Sequence, residues 1–295
     1  MITDQKNFGK NMKENMEKIK NEIFVIASSS DSDQNKLEKL NQMLAGLNPL
    51  ENSKEMFLVC DAAIILADKM GKTEMIAQLF LLKAKAEIAK ETFLIHEMKN
   101  LTLALGWFGF ALKSEKSRYD QLEMRVQEIW SNTQKYINTG FAYLNKNPYI
   151  GPAGYCQKMA GEIYASFYLQ LKLYHFTSGK PWRAKISKYK LVRFLDIDDL
   201  FLLDKKSRKR TREVRRDSLK CFHEAIKYYN QSKAWDFLAE CYISLGLEYH
   251  SFNSPIRSKI SLYKASILIK KYKIIGLDDR LKSISKMPLI GSDRD

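Results

Sequence analysis

Apolar side chains recur every three or four positions along most of the chain, and that spacing is the signature of helices that each bury one face. Over residues 4 to 27 the series is Phe8, Met12, Met16, Ile19, Ile23 and Ile26, interrupted by the polar stretch Ser28 to Asp33. Leu37, Leu40, Met43, Leu44 and Leu47 continue it over 34 to 47, where Asn48 and Pro49 stop it. Only 13 glycines and 6 prolines punctuate 295 residues, which favours helices with short connections over a many-turned β architecture. The expected fold class is all-α.

Ser53 is a candidate cap for a helix carrying Met56, Phe57, Val59, Cys60, Ile64 and Leu66, which Gly71 would end. Thr73 or a neighbour opens a second helix through Ile76, Leu79, Phe80, Leu82, Ala86 and Ile88, so the pair reads as a tight hairpin. Ala84, Ala86 and Ala89 are small enough for close helix approach. A third helix is expected from about 92 to 113. Its Leu101, Leu103, Leu105, Trp107, Phe108 and Phe110 leave it apolar nearly all round and therefore covered by neighbours. A fourth runs from about 116 to 145 with Leu122, Val126, Ile129, Trp130, Ile137 and Phe141.

The clearest break is Asn145 to Gly154, which holds Pro148, Pro152, Gly151 and Gly154. It predicts two domains: a helical bundle or hairpin stack over 1–147, and a helical region over 148–295 containing a basic segment at 180–216. A helix from about 153 to 176 follows, with an aromatic-rich face of Tyr155, Met159, Ile163, Tyr164, Phe167, Tyr168, Leu171 and Tyr174, read as core. Residues 182 to 206 are ambiguous, since Leu200 to Leu203 suit helix or strand.

The hydrophobic content of 45% suffices for a sizeable core. Cys60, Cys156, Cys221 and Cys241 are widely spaced in helical segments, the pattern of buried thiols in a reducing compartment. The apolar run Ile23 to Ala27 is too short for a secretory core, and Leu101 to Leu112 falls well short of the roughly 20 residues that span a bilayer. The expected location is cytoplasmic.

The formal charge of +15 predicts attraction to nucleic acid, anionic lipid surfaces or acidic proteins without choosing among them. It is concentrated: Lys180 to Arg216 hold fourteen Lys or Arg against five Asp or Glu. Lys205, Lys206, Arg208, Lys209, Arg210, Arg212, Arg215 and Arg216 are opposed only by Glu213, and such a run neutralises several phosphates with strong salt dependence. On a helix these cations would circle most of the surface, so the run is expected to be exposed, partly loop, before a helix enters at Asp217. Upstream, Arg183, Lys185, Lys188, Lys190 and Arg193 interleave with Trp182, Tyr189 and Phe194, which offer stacking surfaces for single-stranded nucleic acid. These thirteen cations are the candidate contacts for an anionic partner. The bland alternative is a solvated basic face.

From Asp217 to Tyr272 small residues alternate with large aromatics as helix crossings require. Ser218, Phe222 and Ala225 are spaced like the second helix of a tetratricopeptide unit. Trp235, Leu238, Ala239, Tyr242 and Gly246 are spaced like the first helix of the next, and Tyr263 with Ser266 like its second. This stretch resembles the tetratricopeptide-repeat class, and the pair from 53 to 90 does so more loosely. Two features depart from that pattern: Ser251 to Pro255 is a longer turn, and no closing proline precedes Trp235. The resemblance implies antiparallel hairpins stacked as an α-solenoid, a right-handed superhelix whose inner face binds a peptide or partner protein. The family's carboxylate-gripping Lys and Asn set is not recognisable here.

The remaining motifs are weak. Asp196, Asp198, Asp199 and Asp204 lack the glycine turn and terminal Glu of a calcium loop, and suit helix capping or pairing with the basic run. Cys221, His223, Cys241 and His250 fit no zinc spacing, His96 and His175 have no readable nucleophile, and the glycine pairs form no phosphate loop. The expectation is a non-enzymatic scaffold or adaptor for a protein or peptide, without metal or cofactor. The alternative is a nucleic-acid-associated helical protein using residues 182–216.

Overall fold

A computed structural model describes residues 2–108, 113–145, 150–177, 205–252 and 254–285. Among them are ten helices and no strand: α1 Ile2–Ser28, α2 Asp33–Ala45, α3 Ser53–Lys69, α4 Thr73–Phe108, α5 Lys113–Leu144, α6 Ile150–Thr177, α7 Lys205–Gln231, α8 Trp235–Ser251, α9 Pro255–Tyr272 and α10 Asp278–Ser285. The described elements are all helices, with neighbouring helices packed together. None of the described helices is long and apolar enough to cross a membrane.

Most expected boundaries fall within a few residues of the observed ones, with one fusion. The helices expected at 73 to 88 and from 92 are a single α4, because Ala89, Lys90, Glu91 and Thr92 contain no breaker and each can continue a helix. The side chains of Leu101 to Phe110, on which the expected coverage of this segment rests, lie outside those described, as do those of Phe8 and Met12.

Helix ends follow local chemistry. Ser32 caps α2, its hydroxyl accepting the Asn35 N–H at 3.3 Å. Ser53 does not cap α3: it is the first helical residue, after Asn52. α3 closes as a Schellman motif around Gly71 at φ 66°, with Gly71 N–H on Asp68 O and Lys72 N–H on Ala67 O. α7 closes with the same bond pair, Lys233 N–H on Asn230 O and Ala234 N–H on Tyr229 O, yet a lysine holds the left-handed position at φ 57°.

The chain divides into two compact units, Met1–Lys90 with Ile129–Pro148, and Glu91–Glu128 with Tyr149–Asp295. Residues 91–128 group with the second unit and Ile129–Pro148 with the first.

In the first unit, Leu37, Leu40 and Leu44 of α2 meet Val59, Cys60, Ala63 and Ala67 of α3 and Ile76 and Leu79 of α4, with Ile19, Ile23 and Ile26 of α1 packed against them. Ala84, Ala86 and Ala89 are buried as expected. Gly140 lets α5 reach α4: a Cβ there would stand 3.0 Å from Ala77 O.

In the second unit α6 packs on α7 and α8 on α9, and the two pairs close in the same way. Ser218 Oγ donates to Gly161 O at 2.9 Å, and the space a Gly161 Cβ would take is held by the Phe222 ring at 2.9 Å. Ser258 Oγ donates to Gly246 O at 2.7 Å, and a Gly246 Cβ would meet Leu262 at 2.7 Å. The match extends along both helices at identical spacing, all of it buried. Cys156, Gly161, Tyr164 and Phe167 correspond to Cys241, Gly246, Tyr249 and Phe252, and Ser218, Ala225 and Tyr229 to Ser258, Ala265 and Ile269. Gly246 makes the closest approach to α9, against Ser258 and Leu262, Ala239 packs with Ala265 and Ile269, and Tyr263, one of the two α9 residues in the expected spacing, is 68% exposed. α10 closes the end, Ile284 packing on Ala239, Ile243, Ala265 and Ile269.

Candidate functional site

The candidate cations separate by helical phase. α7 is continuous from Lys205, so the partly looped segment expected before Asp217 is not found. Thr211, Val214, Ser218, Phe222 and Ala225 supply an inward stripe at helical spacing, and the cations occupy the remaining positions. Lys209, Arg212 and Arg216 face solvent in one stripe that continues through Lys220 to Lys227. Acids lie beside three of them: Lys209 is 4.0 Å from Glu213, Arg216 3.9 Å from Asp217 and Lys227 3.9 Å from Glu224. These are loose, exposed pairs that water and salt screen.

Two others have inward partners. Arg210 lies over the Phe167 ring at 5.8 Å. Arg215 lies over Phe252 at 5.2 Å and donates to Ser254 Oγ at 2.9 Å, tying α7 to the start of α9. For Lys205, Lys206 and Arg208 only the backbone is described. Arg183, Lys185, Lys188, Lys190 and Arg193 lie outside the described residues, as do Trp182, Tyr189, Phe194 and the Asp196 to Asp204 cluster.

A second polar constellation, not anticipated, joins α6, α8 and α10. Lys158 Nζ donates to Glu240 Oε1 at 2.9 Å and stands 3.1 Å from Glu162 Oε1. Ser244 Oγ donates to Glu162 at 3.2 Å, and Arg280 Nη1 reaches Glu240 at 3.4 Å. Lys158 is 9% exposed. Burial opposes its charge, but Glu162 and the bond to Glu240 prevail and raise its pKa. Burial likewise opposes ionisation of Glu240, yet the hydrogen bond from Lys158 and the charges of Lys158 and Arg280 hold its carboxyl below the usual range. Glu248, two turns along α8 from Glu240, has the reverse balance: burial first, then the Glu162 carboxylate, push it up to about 8. At neutral pH the Glu248 carboxyl is therefore held mostly in its protonated form. Tyr155 and Phe237 are exposed on the same two helices.

The pieces were separately visible as helical polar residues. The signal that could have joined them is the matched spacing of α6 and α8, since Lys158 and Glu240 are 82 residues apart.

All four cysteines are buried free thiols, and burial pushes each up to about 12, leaving no thiolate nucleophile at neutral pH. Among the described residues no three His, Cys, Asp or Glu are arranged to hold a metal. Comparison of the chain with family models, with curated proteins and with solved structures finds no match.

Proposed function

We propose that the chain is a non-enzymatic scaffold or adaptor, a TPR-like α-solenoid that binds a partner protein or peptide along the exposed polar face of α6 and α8. The observation that carries this reading is the twice-built closure of the second unit. The tetratricopeptide pattern places a Leu-Gly-x-x-Tyr run on the first helix and a small residue four before a large one on the second. Leu245, Gly246 and Tyr249 with Ser258 and Leu262 follow that order, and Gly161 and Tyr164 with Ser218 and Phe222 follow it with Ala160 in the leucine's place. In such a stack the first helices line the inner face. Here that face carries the exposed Tyr155 and Phe237 and the partly exposed carboxylates of Glu162 and Glu240, a mixture of aromatic anchors and oriented polar groups suited to peptide recognition.

The test is capture of a partner from native lysate by the full chain and by a Tyr155→Ala, Phe237→Ala variant. Both side chains are substantially exposed, so the fold should tolerate the change. Loss of the same partner in the variant, with an unaltered helical spectrum, supports the reading. Undiminished capture removes the face from consideration.

The α7 stripe supports a second reading, a nucleic-acid-associated protein whose residues 182–216 contact phosphates. Reversing Lys209, Arg212 and Arg216 to Glu should abolish retention on single-stranded nucleic acid. Neutralising the same three to Gln should flatten the log–log salt dependence by about 2. Retention unaffected by either change would eliminate it.

A further inference from the structure

We propose that the outward face of α9 docks the second unit onto an anionic membrane surface, resting in the headgroup layer. α9 buries Ser258, Ser261, Ala265 and Ile269 against its neighbours. On the opposite side, where an ordinary surface helix carries charge, it presents Ile256, Ile260, Tyr263 and Ile267, which are 74, 50, 68 and 45% exposed. Their steps of four, three and four residues align them in one ridge about 16 Å long at 1.5 Å per residue. Ile275, just beyond the helix, is 97% exposed.

Cations flank that ridge. On the helical wheel Arg257, Lys264 and Lys271 fall along one side and Lys259 and Lys270 along the other; all five are exposed, and exposed Lys273 follows. Between Pro255 and Lys273 there is no Asp or Glu. This charge pattern chooses the occupant. A second copy of the same face would set these cations against their own kind. A receptor helix of an acidic protein would need to bracket a narrow ridge and match lysines on both flanks. A bilayer surface meets every requirement at once: Ile and Tyr enter the boundary between headgroups and acyl chains, while the lysine stems splay outward to place their ammonium groups at lipid phosphates and carboxylates. Each lysine brought close to such a surface strengthens binding about fivefold, and apolar insertion with a polybasic flank supplies the two signals a stable anchor takes.

Cosedimentation of the full chain with vesicles tests this. Expected is retention on phosphatidylcholine vesicles containing about 30% phosphatidylserine, and at least about tenfold weaker retention on phosphatidylcholine alone. Ile256→Ser, Ile260→Ser and Ile267→Ser together should weaken retention on the anionic vesicles by about tenfold or more. A Tyr263→Trp variant, needing no fold-perturbing change, should shift its emission to the blue on those vesicles. No retention on anionic vesicles overturns the proposal, as does full retention by the triple serine variant with loss only when Lys209, Arg212 and Arg216 are reversed. Binding of an acidic amphipathic helical peptide at α9 without vesicle binding also overturns it, and gives the face to a protein partner.

Discussion

Each unit buries a lysine, and the two solve the resulting electrostatic problem differently. In the first unit Lys83, 8% exposed, stands 4.9 to 5.8 Å over the rings of Tyr136, Phe57 and Phe80 and pairs with a single carboxylate, Asp61, at 2.7 Å. The rings' negative faces supply most of the surroundings, and Asp61 is itself 57% exposed, so water solvates it with or without the lysine. In the second unit Lys158 has no aromatic box. It neutralises two partly buried carboxylates, with a third, Glu248, nearby. The first arrangement is self-contained. The second depends on a balance of charge among Lys158, Glu162, Glu240 and Arg280, whose carboxylates are partly exposed.

The largest effect expected from this contrast comes from removing each lysine's charge. Lys158→Met leaves Glu162 and Glu240 with only Ser244 and Arg280 between them to offset two partly buried charges, and should cost about 3 kcal/mol in urea unfolding. Lys83→Met places a flexible apolar chain among three rings and leaves Asp61 in water, and should cost about 1 kcal/mol or less. Equal losses would end the comparison.

Close helix approach gives the next test. Gly161→Ala and Gly246→Ala each force a Cβ against a packed Phe222 or Leu262 side chain at 2.9 and 2.7 Å, and should destabilise by about 1–3 kcal/mol. Gly46→Ala, whose nearest neighbour would lie at 3.6 Å, should be close to neutral in the same denaturation assay. If α6–α7 and α8–α9 are equivalent closures, the two costly substitutions should match each other within the error of the assay.

How much of this was legible follows from the range over which each signal acts. Helix identity is local: Leu37, Leu40 and Leu44, or Val59, Ala63 and Ala67, declare their buried face through spacing alone, and the structure buries them. Where α8 comes closest to its neighbour is a non-local matter: Leu238-Ala239 with Tyr242 and Leu245-Gly246 with Tyr249 are the same pattern seven residues apart on one helical face, and only the position of Ser258 on the other helix puts the tightest approach at Gly246. α7 was expected to begin in a loop because eight cations obscure the inward pair Thr211 and Val214. The Lys158 cluster is hard to read because Lys158 and Glu240 are 82 residues apart and only the matched spacing of α6 and α8 relates them.

Glu248 provides a pH test of the same cluster. Its carboxyl titrates near 4.5 when unfolded and about 8 in the fold, so between those values the folded chain holds a proton that the unfolded chain has released. Stability should therefore fall as pH rises from 5 to 8. Glu248→Gln should flatten that slope and gain about 1–3 kcal/mol at pH 8 with little change at pH 4. A slope unchanged in the variant would mean that Glu248 does not hold its proton in the fold.

The smallest expected effect concerns how each unit ends a helix. Gly71 and Lys233 hold the same left-handed position in the same bond pattern, at φ 66° and 57°. A lysine there crowds its Cβ against the backbone, which glycine avoids, although glycine loses more freedom on folding. Lys233→Gly should then raise stability by up to about 1 kcal/mol, and Gly71→Lys should lower it by about 1 kcal/mol. Because a Cβ on Gly71 would meet nothing within 4 Å, the loss would be one of backbone conformation alone. A gain at 233 without a matching loss at 71 would show instead that Lys233 is unfavourable for its charge near the already basic α7, which Lys233→Gln would confirm by recovering the same gain.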